Sequence, residues 1–252
     1  MRPLAGKRVV ITRPSGQAKN LAQLVREAGG EPLCVPAIEI LPLADAAPFH
    51  ALAQRLEGFD LAIFVSRNAV RSALALLVGK PWPAGLKVAT VGQGSREELE
   101  QQGFTDVIAP AAQSDSEALL ALPELAAVKG KRVVIFRGDA GRRLLGDVLE
   151  KRGAVVEFAA CYRRVRPAGG LPPAFGPRGV DAVTLSSAEG LENFLYMLGE
   201  DGARRLAQTP FFVPHPRIAE AAARKGLTRV LVAGPRDAQM VAALVAYFDG
   251  AS

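Results

Sequence analysis

Two cysteines, two histidines and one tryptophan are spread over 252 residues, and aromatic residues make up only 6% of the chain. Cys34 and Cys161 stand in no CxxC and no Cys/His cluster, which excludes a disulfide framework and a zinc site of ordinary spacing. With only His50 and His215 available, a histidine-based metal centre is excluded too. No run of 18 apolar residues occurs without charges, so no membrane span is expected. The opening stretch MRPLAGKRVVITRP carries charges where a signal peptide would have its apolar core; the expectation is a cytoplasmic protein. The P-loop pattern GxxxxGK[ST], the GxSxG elbow and HExxH are missing. GQGSRE at 92–97 has two of the three dinucleotide-fingerprint glycines and lacks the third, so a nucleotide-dependent transferase finds little support.

What is present is a well-buried composition, 49% hydrophobic and 22% charged, with a net charge of +6. A positive excess suits an anionic partner. The arginines are scattered, however, and no basic and aromatic residues interleave as a base-stacking platform would require, so nucleic acid is not expected. The densest basic group is Arg163, Arg164 and Arg166. The pairs at 142–143 and 204–205 read as helix surfaces.

The chain also repeats itself. GKRVVITRP at 6–14 returns as GKRVVIFRG at 130–138, and Gly29 then falls on Gly153. FDLAIFVSRNAV at 59–70 matches VDAVTLSSAEGL at 180–191, with Asp60 on Asp181 and Ser66 on Ser187. KVATVGQGSREELEQQGF from 87 matches TPFFVPHPRIAEAAARKG from 209, with Gly103 on Gly226, and Asp115 falls on Asp237. Blocks in one order at a nearly constant offset mean two copies of a domain-sized unit.

Each copy reads β-α-β-β-α-β-α-β-α. Strands are expected at 9–12, 33–36, 61–65, 88–91 and 107–109, and again at 133–136, 155–159, 182–185, 211–213 and 230–233. Continuous apolar runs of this kind suit strands buried on both faces of a parallel sheet. Helices are expected at 17–28, 95–102 and 218–225, stopped by Gly29, Gly103 and Gly226. The second strand of each copy is overlong, through 32–43 and 155–167, and Pro36 and Pro42 suit an extended connector better than a ladder. Two such connectors could pair as a ribbon between domains.

Ligands of open parallel sheets bind beyond the carboxyl ends of the strands. Those ends carry Arg13, Ser66, Asn68, Gly92 and Ser95 in the first copy, and Arg137, Gly138, Ser186, Ser187, His215 and Arg217 in the second. Helix N-termini offer free N–H groups to anions and arginine offers a two-pronged donor. Ser66, Ser95 and Ser187 also read as plain helix N-caps. With few strong bases at hand, such a site binds and orients an anion and does little acid–base work.

Seven segments in order, ITRP at 11–14, FVSRNAV at 64–70, VATVGQGSREEL at 88–99, FRGDAGRRLL at 136–145, CYRR at 161–164, LSSAEGLENF at 185–194 and VPHPRIAEAAARKG at 213–226, resemble the uroporphyrinogen-III synthase family. The resemblance implies two similar flavodoxin-like α/β domains, 1–37 with 166–252 and 41–161, joined by a two-stranded ribbon at 38–40 and 162–165, with the active site in a cleft between them. It implies a lyase that closes hydroxymethylbilane, an eight-carboxylate linear tetrapyrrole, into uroporphyrinogen III with loss of water and inversion of the last ring, without a cofactor or metal. It makes Tyr162 the candidate general acid. The neutral and cationic strand-end residues Arg13, Ser66, Asn68, Ser95, Arg137, Gly138, Ser186, Ser187, His215 and Arg217 become candidate substrate-binding groups. A threonine common in relatives is replaced here by the sequence His215-Pro216-Arg217. The implied partners are the small-molecule substrate and, in a transient hand-off, hydroxymethylbilane synthase, with the chain itself a monomer. The rival reading is a non-catalytic two-lobed module that senses a small anion.

Overall fold

A computed structural model describes residues 2–111, 115–168, 179–206 and 208–250. The chain divides into two compact units, Met1–Glu39 with Val165–Ser252, and Ile40–Arg164.

The first unit holds a five-stranded parallel sheet. Its strands are β1 (Arg8–Ile11), β2 (Glu31–Cys34), β9 (Ala182–Thr184), β10 (Phe211–Val213) and β11 (Val230–Val232), in the order β11-β10-β9-β1-β2. Helices α1 (Ser15–Glu27), α8 (Ala188–Arg205), α9 (Pro216–Arg224) and α10 (Asp237–Asp249) follow β1, β9, β10 and β11. Val10, Phe211 and Val213 face a core shared with Phe194 of α8 and Ile218 of α9. Val9, Ile11 and Phe212 face a second core with Leu21 of α1 and Leu244 of α10. Both faces are therefore apolar, which is why the strands read as unbroken hydrophobic runs. Each such fully buried side chain contributes about 1.5–3 kcal/mol.

The second unit holds six strands: β3 (Glu39–Leu41), β4 (Leu61–Phe64), β5 (Lys87–Thr90), β6 (Val107–Ile108), β7 (Arg132–Gly138) and β8 (Val155–Val165). Their order is β3-β8-β7-β4-β5-β6. One face packs Phe64 and Phe136, stacked at 4.8 Å, against α3 (Arg67–Leu76) and Leu99 of α4 (Gln93–Gln101). The other packs Ile63 and Ile135 against Leu119 of α5 (Ser116–Leu120), Leu125 of α6 (Pro123–Ala126) and Leu145 and Leu149 of α7 (Leu144–Lys151). Helix α2 (Ala47–Ala53) adds Phe49 and Leu52 to the first face.

The expected strands all form, displaced by a residue or two at their ends. The three glycines expected to stop helices do so in the left-handed region, at φ +94° for Gly29, +89° for Gly103 and +85° for Gly226. The first overlong strand breaks in two, β2 and β3, around Pro36; the second runs unbroken as the 11-residue β8, hydrogen-bonded to β3 along its edge. Two expectations need correction. Arg142 and Arg143 precede α7, with Arg143 at its N-cap, because Gly141 at φ +127° delays the helix. Arg204 does lie exposed on α8, while the side chain of Arg205 is outside the described residues. Ser95 is no cap: α4 starts earlier, at Gln93, with Gly92 in extended backbone as the N-cap.

Candidate functional site

The register of the second unit's sheet assembles the candidate residues. Phe64 of β4 pairs with Phe136 of β7 on one side and Thr90 of β5 on the other. Two residues further along, each chain reaches Ser66, Gly138 and Gly92 respectively, and Gly138 is itself in register with Tyr162 of β8. Tyr162, Gly138, Ser66 and Gly92 thus line the carboxyl edge of four neighbouring strands.

Tyr162 reaches that edge through a bulge. Ala160 pairs with Arg137, and the next pair is Tyr162 with Gly138, so Cys161 is the extra residue. A bulge re-aims the side chains after it. Here it puts Cys161 and Tyr162, adjacent in sequence, into the same buried cluster as Ala159. The Tyr162 ring is 3% exposed, and its hydroxyl lies 3.3 Å from Ser66 Oγ. Ser66 caps α3 at the same time, accepting the Ala69 N–H at 3.1 Å. The Asp139 N–H donates to the Tyr162 carbonyl at 2.9 Å. The Cys161 thiol donates to the Arg137 carbonyl at 3.2 Å, and burial pushes its pKa up to about 12. It is a structural thiol.

Beside this pair stands a cationic loop. Arg137 lies over the Phe158 ring at 5.1 Å, and Arg143 lies over it at 4.7 Å. Arg137 donates to the carbonyls of Gly138 and Arg142, both at 3.2 Å, and has no ion pair among the described residues. Burial first, then the charges of Arg164 and Arg143, hold its pKa below the usual guanidinium value. An arriving carboxylate would relieve that repulsion.

On the far side, α4 presents an N-terminus that no side chain caps. Ser95 and Arg96 both send their N–H groups to the Gly92 carbonyl, at 3.0 and 3.1 Å. Arg67, the first residue of α3, lays its guanidinium against Gly94, where any side chain would collide with it. Its one carboxylate partner among the described residues is the exposed Glu97 at 3.4 Å. Ser95 itself is 7% exposed in the third position of α4. Asn68 occupies the second position of α3. Backbone N–H groups beside a guanidinium make an arrangement suited to carboxylates.

The candidates of the first unit form a separate group. Ser187 repeats the role of Ser66, capping α8 by accepting the Gly190 N–H at 2.9 Å, and Ser186 precedes it. His215 caps α9 through Nδ1, which accepts the Arg217 N–H at 3.2 Å. Arg13 is engaged: its guanidinium pairs with Asp237, whose other oxygen accepts from Asn20 Nδ2 at 2.6 Å. The position equivalent to Tyr162 in this unit is Ile38, 5% exposed, so the phenol occurs once.

Sequence patterns pointed to Ser66, Gly138 and Tyr162 separately. They also placed Arg67, Gly92 and Gly94 at strand ends without showing that the Arg67 guanidinium lies against Gly94, and they missed Arg143, Arg164 and Phe158 around Arg137. The offset that carries Arg13 onto Arg137 was the available signal for the last group.

Among the described residues, no cluster of three or more His, Cys, Asp or Glu could hold a metal ion, and no helix is long and apolar enough to cross a membrane.

Residues 19–242 match the family model described as uroporphyrinogen-III synthase HemD. A curated relative from Salmonella typhimurium, named uroporphyrinogen-III synthase, is 32% identical over 236 residues, covering 91% of this chain and 96% of the relative. Among solved structures, a mutant uroporphyrinogen III synthase from the extremely thermophilic bacterium Thermus thermophilus aligns with a TM-score of 0.67 at 16% identity, covering 98% of this chain and 100% of that one. The Helicobacter pylori uroporphyrinogen-III synthetase aligns at 0.65 and 14% identity, covering 96% and 99%. At those identities the structures speak for the fold.

Proposed function

Because the chain belongs to the uroporphyrinogen-III synthase family, we propose that it closes hydroxymethylbilane into uroporphyrinogen III, with Tyr162 as the proton donor and the strand-end donors of the second unit as carboxylate holders. The small-anion sensor is not favoured, since the Salmonella typhimurium relative, matched over 96% of its length, is named a synthase.

The observation that carries the chemical reading is the hydroxyl pair of Tyr162 and Ser66 at the carboxyl edge of β4, β7 and β8. Tyr162 donates its hydroxyl proton to the departing hydroxyl of the terminal pyrrole. The electron pair of the pyrrole nitrogen opens the C–O bond, water leaves, and a reactive azafulvenium cation remains beside the Tyr162 phenolate, which is reprotonated by the proton that ring closure releases. In solution that species closes without inversion. The protein's task is to hold the bilane so that the inverting attack, through a spirocyclic intermediate, is the nearest one.

Two groups support the holding role. Arg137, crowded by Arg143 and Arg164, gains from a carboxylate partner. The uncapped start of α4, with Arg67 across Gly94 and the buried Ser95, offers N–H groups and a guanidinium together. Asn68, Ser186, Ser187, His215 and Arg217 are further donors at strand ends. Arg13, paired with Asp237, serves the fold of its own unit instead.

The test is an isomer assay. The protein is mixed with hydroxymethylbilane, the product is oxidised, and the porphyrin isomers are resolved. Type III above the uncatalysed background is expected; type I alone would reject the synthase reading. The hand-off from hydroxymethylbilane synthase is tested by comparing type III yield from free bilane with that from the coupled pair at equal flux.

A further inference from the structure

Gly138 is a glycine for a reason its own backbone does not supply. Its φ lies outside the left-handed region, so any residue could adopt its conformation. What excludes a side chain is the Tyr162 ring. A Cβ at 138 would sit 3.0 Å from Tyr162 Cε2, 3.2 Å from Cζ and 3.5 Å from the hydroxyl oxygen. Those are the ring atoms at the reacting end of the phenol.

The surroundings leave the ring little room to retreat. Tyr162 is 3% exposed and belongs to the same packed cluster as Phe136, Ala69 and Val70. Its main chain is pinned by the Asp139 N–H on one side and by the Cys161 bulge just before it. Its hydroxyl meets Ser66 Oγ, which the α3 N-terminus fixes in turn.

We infer that Gly138 is a positioning residue: its bare α-carbon is the floor on which the Tyr162 ring lies, and that floor sets the phenol's distance from Ser66 and from the departing hydroxyl. The inference rests on the reading of Tyr162 as proton donor and goes beyond it by naming what holds the donor in place. An added methyl must move the ring by a few tenths of an ångström. Proton transfer is sensitive to such displacements, whereas carboxylate binding at Arg137 and α4 is made by other atoms.

The experiment is a double-mutant cycle in the full chain, with initial rates of uroporphyrinogen III formation from hydroxymethylbilane. Gly138→Ala is expected to lower kcat by about five- to tenfold and leave KM within about twofold. Tyr162→Phe removes the hydroxyl and keeps the ring, so the double variant is expected to be no slower than Tyr162→Phe alone. Ser66→Ala approaches the same hydroxyl from the other side and should show the same lack of additivity. The single and double Gly138 variants carry the same ring against the same methyl, so their thermal melts should shift alike. A fold defect would slow Gly138→Ala equally in both backgrounds, and that result overturns the inference, as does a Gly138→Ala enzyme of undiminished kcat. If Tyr162→Phe alone keeps full kcat, the proton-donor reading falls first, by a measurement independent of Gly138, and the positioning role falls with it.

Discussion

Arg13 and Arg137 occupy the same place in the two repeats and meet different surroundings. The Arg13 guanidinium has a carboxylate of its own chain, Asp237, and the two side chains are only 17% and 16% exposed. Removing one partner of such a mostly buried pair strands the other charge and costs about 2 kcal/mol. Arg13→Ala and Asp237→Ala are therefore expected to lower the melting temperature by similar amounts and to leave KM within about twofold. A KM rise confined to Arg13→Ala would return that residue to the substrate. The cysteines divide in the same way. Cys34 is exposed on the edge strand β2, whereas Cys161 is buried with its pKa pushed up to about 12. A thiol reagent at pH 8 should label Cys34 alone until denaturant is added; rapid native labelling of Cys161 would contradict its burial. At this scale the sequence was a partial guide. It offered the residue types at the strand ends, but an arginine at a strand end reads alike whether Asp237 or a substrate answers it, since that partner lies 224 residues away. Ser95 read as a cap because serine is a common one; a glycine cap at Gly92 leaves no side chain to recognise.

At the level of elements, the two sheets are closed at their centre by one device used twice. Asp60, just before β4, exchanges a reciprocal pair of bonds with Arg132 at the start of β7: its N–H donates to the Arg132 carbonyl at 2.9 Å and its carboxylate accepts the Arg132 N–H at 2.8 Å. Asp181, just before β9, does the same with Arg8 at the start of β1, at 2.9 and 2.8 Å. A lysine adds to each, Lys131 at 3.1 Å and Lys7 at 3.8 Å. The Arg132 N–H, and after it the Lys131 ammonium, hold the Asp60 carboxyl below its ordinary pKa. A group whose folded pKa is depressed adds stability above its unfolded value, and that stability is lost as the pH falls through the folded value. Asp60→Asn should therefore lower stability to urea at neutral pH, and the gap to the parent should close below about pH 4. A gap that persists unchanged at pH 3 would assign the loss to packing instead. Elements of this kind were legible: Asp60 and Asp181 emerged from the repeat, and the β-branched runs marked the strands. The bulge at Cys161 was not, because it depends on how β7 and β8 are registered, and CYRR carries no local mark of it. Nor was α2, whose seven residues are too few to display a helical period.

For the whole molecule, the repeat and the units do not coincide. The first repeat supplies β1 and β2 to one unit and β3, β4, β5 and β6 to the other; the second supplies β7 and β8 to that other unit and β9, β10 and β11 back to the first. Apart from the edge strand β3, each sheet therefore joins the opening strand pair of one repeat to the closing three of the other. Counted by repeat position, the first sheet runs 2-1-3-4-5, the flavodoxin-like order; the second runs the same way, circularly permuted along the chain, with β3 of the first repeat added beyond β8 as a sixth, edge strand. The Asp60 and Asp181 clasps each tie one repeat to the other across this exchange. The exchange has a consequence for folding. The second unit, Ile40–Arg164, is one continuous segment with its own two-faced core, and its terminal strands β3 and β8 are hydrogen-bonded neighbours, so its ends lie together. Continuous segments of this size with adjacent ends fold as domains. Residues 40–164 expressed alone should thus unfold in urea with one cooperative transition seen alike by far-ultraviolet circular dichroism and by the fluorescence of Trp82. The segment 165–252 lacks β1 and β2, which form the Asp181 clasp and one edge of its sheet, and should stay unfolded until residues 1–39 are supplied in trans. A fragment 40–164 that melts without cooperativity would mean that the exchanged strands need both units to fold at once.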